Sequence, residues 1–353
     1  MQTATRTTFF NRKLALAAVT AIAFVASLFY IRSRTAAIPC LQQLPSPNGY
    51  DDLLQAASAI QGFPIQVIGG NAAELRSFLG SNQTALAMMR TGLGRECVVP
   101  LNISTNFSLE GIVTRSRLHN LLFLPEISGK LAELEGRKYE ASRDYLEQVR
   151  LGEALSHGGI IVDKLREFTG TTVGLDGLNR LRNDLSVEAC RELFEALRRV
   201  DANREPFSTV NDRDDAATRK MVRGWEGLRY RISSFYQIFT GQRSAVRNNI
   251  ERTFRRQDAR LRLLILELSI RCHFLEKSGY PKYFSDLVPQ YLPQIPKDPF
   301  TGKDFIYRAG TNGFFLYSVG PDRVDNGGQP LAKTANDDDI PKGDIRLNPQ
   351  PQN

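Results

Sequence analysis

Along most of the chain, apolar residues recur every three or four positions, the period of a helix with one buried face. The pattern holds from about Tyr50 to Arg260 and predicts antiparallel helices joined by short loops. Asn71-Ala-Ala-Glu74 reads as an N-cap with an acidic third position, opening a helix through Phe78. Ser81 is placed to cap the next helix, through Met89. Leu131 to Leu155 reads as two helices broken near Gly136, and Ser186-Val-Glu-Ala189 opens another. Val187, Cys190, Phe194 and Leu197 of that helix share a face. Gly158-Gly159 and the run from Gly170 to Gly177 read as breaks. Leu261, Leu264, Ile265, Leu268, Cys272 and Leu275 form the stripe of a long helix that should stop near Gly279, just before Pro281.

From Tyr280 the pattern changes. Prolines stand at 281, 289, 293, 296 and 299, and Asp298-Pro-Phe-Thr-Gly302 is a tight-turn sequence. Phe305–Tyr307 and Phe314–Tyr317 read as two short strands around the turn-rich Ala309–Gly313. At the other end, Leu14–Ile31 carries no charge over 18 residues and is bracketed by Arg12-Lys13 and by Arg32 and Arg34. A helix of that length rises about 27 Å, near the ~30 Å of a bilayer core. Leu28-Phe-Tyr-Ile31 lacks the small residues of a signal cleavage site, so an uncleaved anchor is expected. Arg6, Arg12 and Lys13 precede it, which places the N-terminus in the cytoplasm and the bulk of the chain outside. The expected organisation is mainly α. Residues 1–13 are cytoplasmic, 14–31 a transmembrane helix, 35–49 a proline-bearing linker, 50–240 an α-helical domain and 244–346 an α+β domain of long helix plus small antiparallel sheet.

Composition adds charge to this picture. The 353 residues carry a net +8, with 42% hydrophobic and 24% charged, a globular average that excludes a wholly disordered chain. Between Arg219 and Arg262 twelve Lys/Arg face three acids, a balance of +9, so this stretch holds the whole excess. Arg243, Arg247, Arg252, Arg255 and Arg256 are its candidate partner-binding residues, for an acidic protein or peptide. Export across a membrane argues against nucleic acid as the partner. Cys40, Cys97, Cys190 and Cys272 allow three pairings, and free thiols fit equally well.

Two stretches resemble known families. Ala132, Gly136, Ala141 and Tyr145 match the small and aromatic positions of a tetratricopeptide-like hairpin, with no second copy at that period. The C-terminal quarter resembles the major pseudopilin of type II secretion, type II secretion protein G. The shared features are a long helix ending in Ser278-Gly-Tyr-Pro281, Leu287-Val-Pro289, Tyr291-Leu-Pro293, Pro296-Lys-Asp-Pro299, Leu316–Asp322, Asn326-Gly-Gly328 and Asp337-Asp-Asp-Ile340. The resemblance implies a Ca²⁺ site in the last loop. By position Asp322, Asp337 and Asp339 would be its ligands, with Ile340 anchoring the loop. Asp325 joins them on local chemistry, because Ca²⁺ takes 6–8 oxygen ligands in a flexible shell. The chain departs from the family in two ways. No Gly-Phe leader with a following glutamate precedes Leu14, and some 200 residues separate the membrane segment from the pseudopilin-like helix. Processing by a prepilin peptidase and assembly into a filament are therefore not expected.

No G-x-S-x-G, Walker or G-x-G-x-x-G motif occurs, and His119, His157 and His273 have no metal-spaced partners. The expected function is non-catalytic. It is that of a single-pass bacterial inner-membrane protein with a periplasmic body, an accessory or scaffold of secretion-related assemblies with protein partners in the envelope. The alternatives are a helical module binding an acidic or peptide partner, and an enzyme with a dispersed site.

Overall fold

The computed structural model describes residues 43–101, 109–221, 242–310, 313–334 and 339–347. The expected membrane segment, Cys40, Asp337 and the side chain of Arg243 lie outside the described residues. No helix among those described is long and apolar enough to cross a membrane.

The molecule is mainly helical, and three of its helices begin on a side-chain cap, Asn48, Asn71 or Ser186. α1 (Gly49–Ala59) starts after Asn48, whose side chain accepts from Tyr50 N. α2 (Pro64–Val67) is a single turn. α3 (Ala72–Ser81) opens on the full capping box: Asn71 Oδ1 accepts from Ala73 and Glu74, and Glu74 Oε2 accepts from Asn71 N. α4 (Gln83–Leu93) is not capped by Ser81, which ends α3 and donates back to Ser77 O. Asn82 occupies the junction, with its side chain bonded to both backbone groups of Gln61. α5 (Leu109–Leu121), α6 (Phe123–Leu134) and α7 (Lys138–Ala154) follow, and Gly136 turns the chain between the last two at φ +74°.

α8 (Ile161–Leu181) corrects one expectation. The glycines at 170–177 do not break it. They form the face it lays on α7. A Cβ at Gly174 would sit 2.5 Å from Val149 Cγ2, and one at Gly170 2.9 Å from Gln148 O. A Cβ at Gly177 would enter the Tyr145 ring. Close approach of two backbones is worth more here than the ~1 kcal/mol of helix propensity each glycine forfeits. Ala132, Ala141 and Tyr145 of the α6–α7 hairpin are buried, as small and aromatic contacts between packed helices should be.

α9 (Val187–Asn203), capped by Ser186 Oγ, and α10 (Phe207–Met221) precede the longest helix, α11 (Gln242–Lys277). Its centre is buried well beyond one stripe: Leu263, Leu266 and Ile270 are inaccessible along with Leu261, Leu264, Ile265, Leu268 and Cys272. α11 is thus a central strut rather than a surface helix. It ends with Ser278 in the left-handed region (φ +57°), one residue before the expected glycine. β1 (Ile306–Ala309) and β2 (Phe314–Tyr317) pair antiparallel with Ile306 opposite Tyr317, and Ser318 bridges to Ile345.

Two hydrophobic clusters result. One gathers α1, α3–α6 and the end of α7 around Leu53, Leu75, Met89, Leu121 and Leu151. The other joins α7, α8, α9 and α11 to the C-terminal sheet around Tyr145, Phe194, Leu264, Leu268, Leu292 and Ile345. Each fully buried Leu or Phe in them contributes about 1.5–3 kcal/mol. The boundary expected near residue 240 falls outside the described residues, and side chains from both sides of it share the second cluster.

Candidate functional site

Three places gather chemistry. The first is the acidic tail. Asp322 Oδ2 accepts from Asn326 Nδ2 and Gly343 N, and Asp325 Oδ1 accepts from Gly327 N and Tyr317 Oη. The Gly327 amide and Tyr317 hydroxyl hold the Asp325 carboxyl below the usual range. Their neighbour is Asp344, a residue not singled out from the sequence. It is buried and accepts from Asn326 N and Gly328 N. Burial pushes its pKa up, and the charges of Asp325 and Asp322 add to that rise. Asp339 lies elsewhere: its carbonyl accepts from Arg252 on α11. Ile340 is 55% exposed, so it anchors nothing; Ile345 is buried and carries the bridge to Ser318. The signal was available, because Asp344-Ile345 repeats the Asp339-Ile340 pair five residues on. The three carboxylates offer only oxygen donors, which suits a hard cation such as Ca²⁺. Among the described residues, no three His, Cys, Asp or Glu side chains are already placed to share a metal.

The second place is the basic stretch. Its arginines divide by partner. Arg247 pairs with Asp215 at 2.9 Å, and Arg255 pairs with Glu251 one helical turn away at 2.6 Å. Arg252 is bonded to Asn249 and to Asp339 O. Arg256 has no carboxylate partner among the described residues, and its Nε is buried without a hydrogen bond. Burial and the neighbouring Arg252 both push its pKa below the usual guanidinium value. Arg252 and Arg256 line one groove of about 840 Å³ between α8, α11 and the tail. Leu165, Phe168, Val246, Ile250, Leu331 and Pro341 supply its apolar surface, and Lys333 adds a third cation. Leu165 and Val246 are more than half exposed. An apolar trough edged by a guanidinium with no carboxylate partner among the described residues is complementary to an amphipathic anion.

The third place was invisible in the sequence. α8 buries Asp163, Lys164, Arg166 and Glu167, which a periodicity argument assigns to solvent. They are tolerated because each is paired. Arg166 reaches Asp163 at 2.6 Å and Lys164 reaches Glu167. Arg204, just past the end of α9, spans Glu167 and Asp258 of α11. Beside this network lies a cleft of about 600 Å³ walled by Arg95, Glu96, Cys97, Arg150, Glu153, His157, Arg199 and Asn203. Burial, and then the charge of Glu167, lift Glu153 to about 7. His157 Nδ1 stands 4.0 Å from Glu153 Oε1. Burial raises Cys97 to about 12, so its thiol stays protonated and is no nucleophile at neutral pH. Comparison with protein-family models, with characterised proteins and with solved structures gives no match for this chain.

Proposed function

We propose that this protein is a non-catalytic, membrane-anchored scaffold of the bacterial envelope that docks an acidic, amphipathic protein segment in the groove beside α11. One observation carries the docking: among the described residues half-buried Arg256 has no carboxylate partner, while exposed Leu165 and Val246 flank it. Arg247 and Arg255 of that stretch are neutralised by Asp215 and Glu251, which leaves Arg256 as a described cation still to be matched. The anchoring rests on Leu14–Ile31 and its flanking cations, with the body on the periplasmic side of the inner membrane.

The pseudopilin-like reading of the C-terminal part draws support from element order. A long helix, a proline-rich segment, the Asp298 turn, a two-stranded hairpin and a looped acidic tail follow one another over residues 242–347. In that tail Asp322 and Asp325, with Asp344 by position and Asp337 by resemblance, would hold a structural Ca²⁺, without the expected Asp339. The ion would add countercharge to carboxylates of which Asp325 already has a distant pair in Arg308 at 3.7 Å. Added Ca²⁺ is expected to raise the Tm of the full chain and not that of Asp322→Ala; equal melting in both with and without Ca²⁺ removes the site.

The docking is tested by placing a photo-crosslinking residue at Val246 or Leu165 of the full chain. A synthetic peptide with Glu-rich and Leu-rich faces should be captured there, and not by the same probe at Tyr139 on α7. Equal capture at all three positions would refute a defined groove. A second reading, an enzyme with a dispersed site, rests on Glu153 titrating near neutrality beside His157. A substrate turned over by the wild type and not by Glu153→Gln would favour it.

A further inference from the structure

Four cysteines spread over the chain leave their pairing open, but the fold brings two of them together. Cys190 lies in the first turn of α9, and Cys272 lies in the last turns of α11. The helices run antiparallel, and their register is fixed at several levels. Arg204, just past the end of α9, meets Asp258 of α11 at 2.5 Å, Asp201 meets Arg262 at 3.0 Å, and Arg191 meets Glu276 at 2.7 Å. Next to the last of these pairs the two thiols are fully buried and share a hydrogen bond. Cys272 Sγ also lies 3.5 Å from Val187 O.

We propose that Cys190 and Cys272 form a disulfide that staples α9 to α11. The geometry supplies the contact, because ion pairs lock the two helices in register and Cys272 Sγ lies against Val187 O, one turn before Cys190. The surroundings supply the chemistry. The Cys272 thiol donates to the Cys190 sulfur, and the Arg271 guanidinium stands beside it. Together they outweigh burial and pull Cys190 towards the thiolate, while Cys272 is pushed the other way. Arg271 is held there by two hydrogen bonds to Leu185 O. The pair is therefore unequal: Cys190 is the nucleophile and Cys272 holds the proton.

The oxidant is a small or protein disulfide, RSSR. Cys190 thiolate attacks one of its sulfurs, giving a mixed disulfide and releasing RS⁻. Cys272 then loses its proton and attacks the Cys190 sulfur, releasing the second RS⁻. Two protein thiols and RSSR become one protein disulfide and two RSH, so protons and electrons balance. Both sulfurs are closed to solvent in the folded chain, so the exchange takes place as the chain folds or when the α9–α11 contact opens. The bond would hold α11, which carries both the Arg252–Arg256 wall and the C-terminal sheet. The inference is independent of the docking reading, since no groove residue enters it.

The test is refolding of the full chain in a buffer of oxidised and reduced glutathione. Free thiols are then alkylated and the protein is peptide-mapped without reduction. The expected result is one linked peptide pair joining Cys190 to Cys272, with Cys97 alkylated. The linked form should melt roughly 5–15 °C above the reduced form, because the bond closes a long loop of the unfolded chain. Cys272→Ser should stop at the first step, leaving glutathione on Cys190. Recovery of both cysteines fully alkylated, or linkage of either to Cys97 or Cys40, overturns the proposal. The wild-type map decides this even if the variant does not fold.

Discussion

Glu153 and Glu167 face one buried region, and Lys164 and Arg204 make their ion pairs with Glu167. Burial pushes Glu167 up, but Arg204 and Lys164 outweigh it, so its carboxyl stays ionised. Burial, and then the cost of a second negative charge beside Glu167, lifts Glu153 from 4.5 to about 7. The sign of its effect on stability follows. The fold prefers protonated Glu153, so its contribution is complete below about pH 4.5 and is lost as pH rises through about 7. Glu153→Gln is neutral throughout. Its Tm should gain on the wild type steadily as pH is raised, and a gap that stays constant with pH would show that Glu153 carries no buried charge. None of this was legible beforehand. Asp163, Lys164, Arg166 and Glu167 look like a solvated face in sequence, and only the pairing that the fold provides makes their burial affordable. The tail shows the same limit, since Asp344 differs from Asp339 by burial, which spacing does not report.

At the scale of the element, local chemistry was readable and interhelical distance was not. The Asn71–Glu74 box, the Ser186 cap, the Gly136 turn and the Asp298 turn all form where their side chains dictate, because each is settled within about four residues. The glycines of α8 are the counter-example. Gly170, Gly174 and Gly177 meet turn statistics in sequence, yet their role is to admit α7 at close range. Gly177→Ala should therefore destabilise the protein in urea by about 1–3 kcal/mol, since the added carbon enters the Tyr145 ring. Gly80→Ala, at an open position of α3, should stabilise it by about 0.5–1 kcal/mol. Matching effects of the same sign would mean that propensity, not packing, governs the α8 glycines. α11 was visible as one apolar stripe, but the sequence did not show that α9 and the C-terminal sheet cover it from different sides.

For the whole molecule, the net charge of +8 concealed a balance of +9 in one stretch. The fold then divides that stretch again. Ion pairs with Asp215, Glu251, Asp176 and Asp201 absorb Arg247, Arg255, Arg260 and Arg262. Among the described residues of the stretch, Arg256 stands without a carboxylate partner, beside Arg252 and an apolar trough. A basic composition thus becomes a local claim about one groove. Calorimetric titration of the full chain with the Glu- and Leu-faced peptide tests it most directly. The wild type should bind, and affinity should fall as salt is raised from about 50 to about 500 mM, because exposed charge contacts are screened. Arg256→Gln should bind about tenfold more weakly at low salt, the worth of one charge-assisted contact of ~1.4 kcal/mol. Equal affinity in wild type and variant, or binding indifferent to salt, would contradict the account.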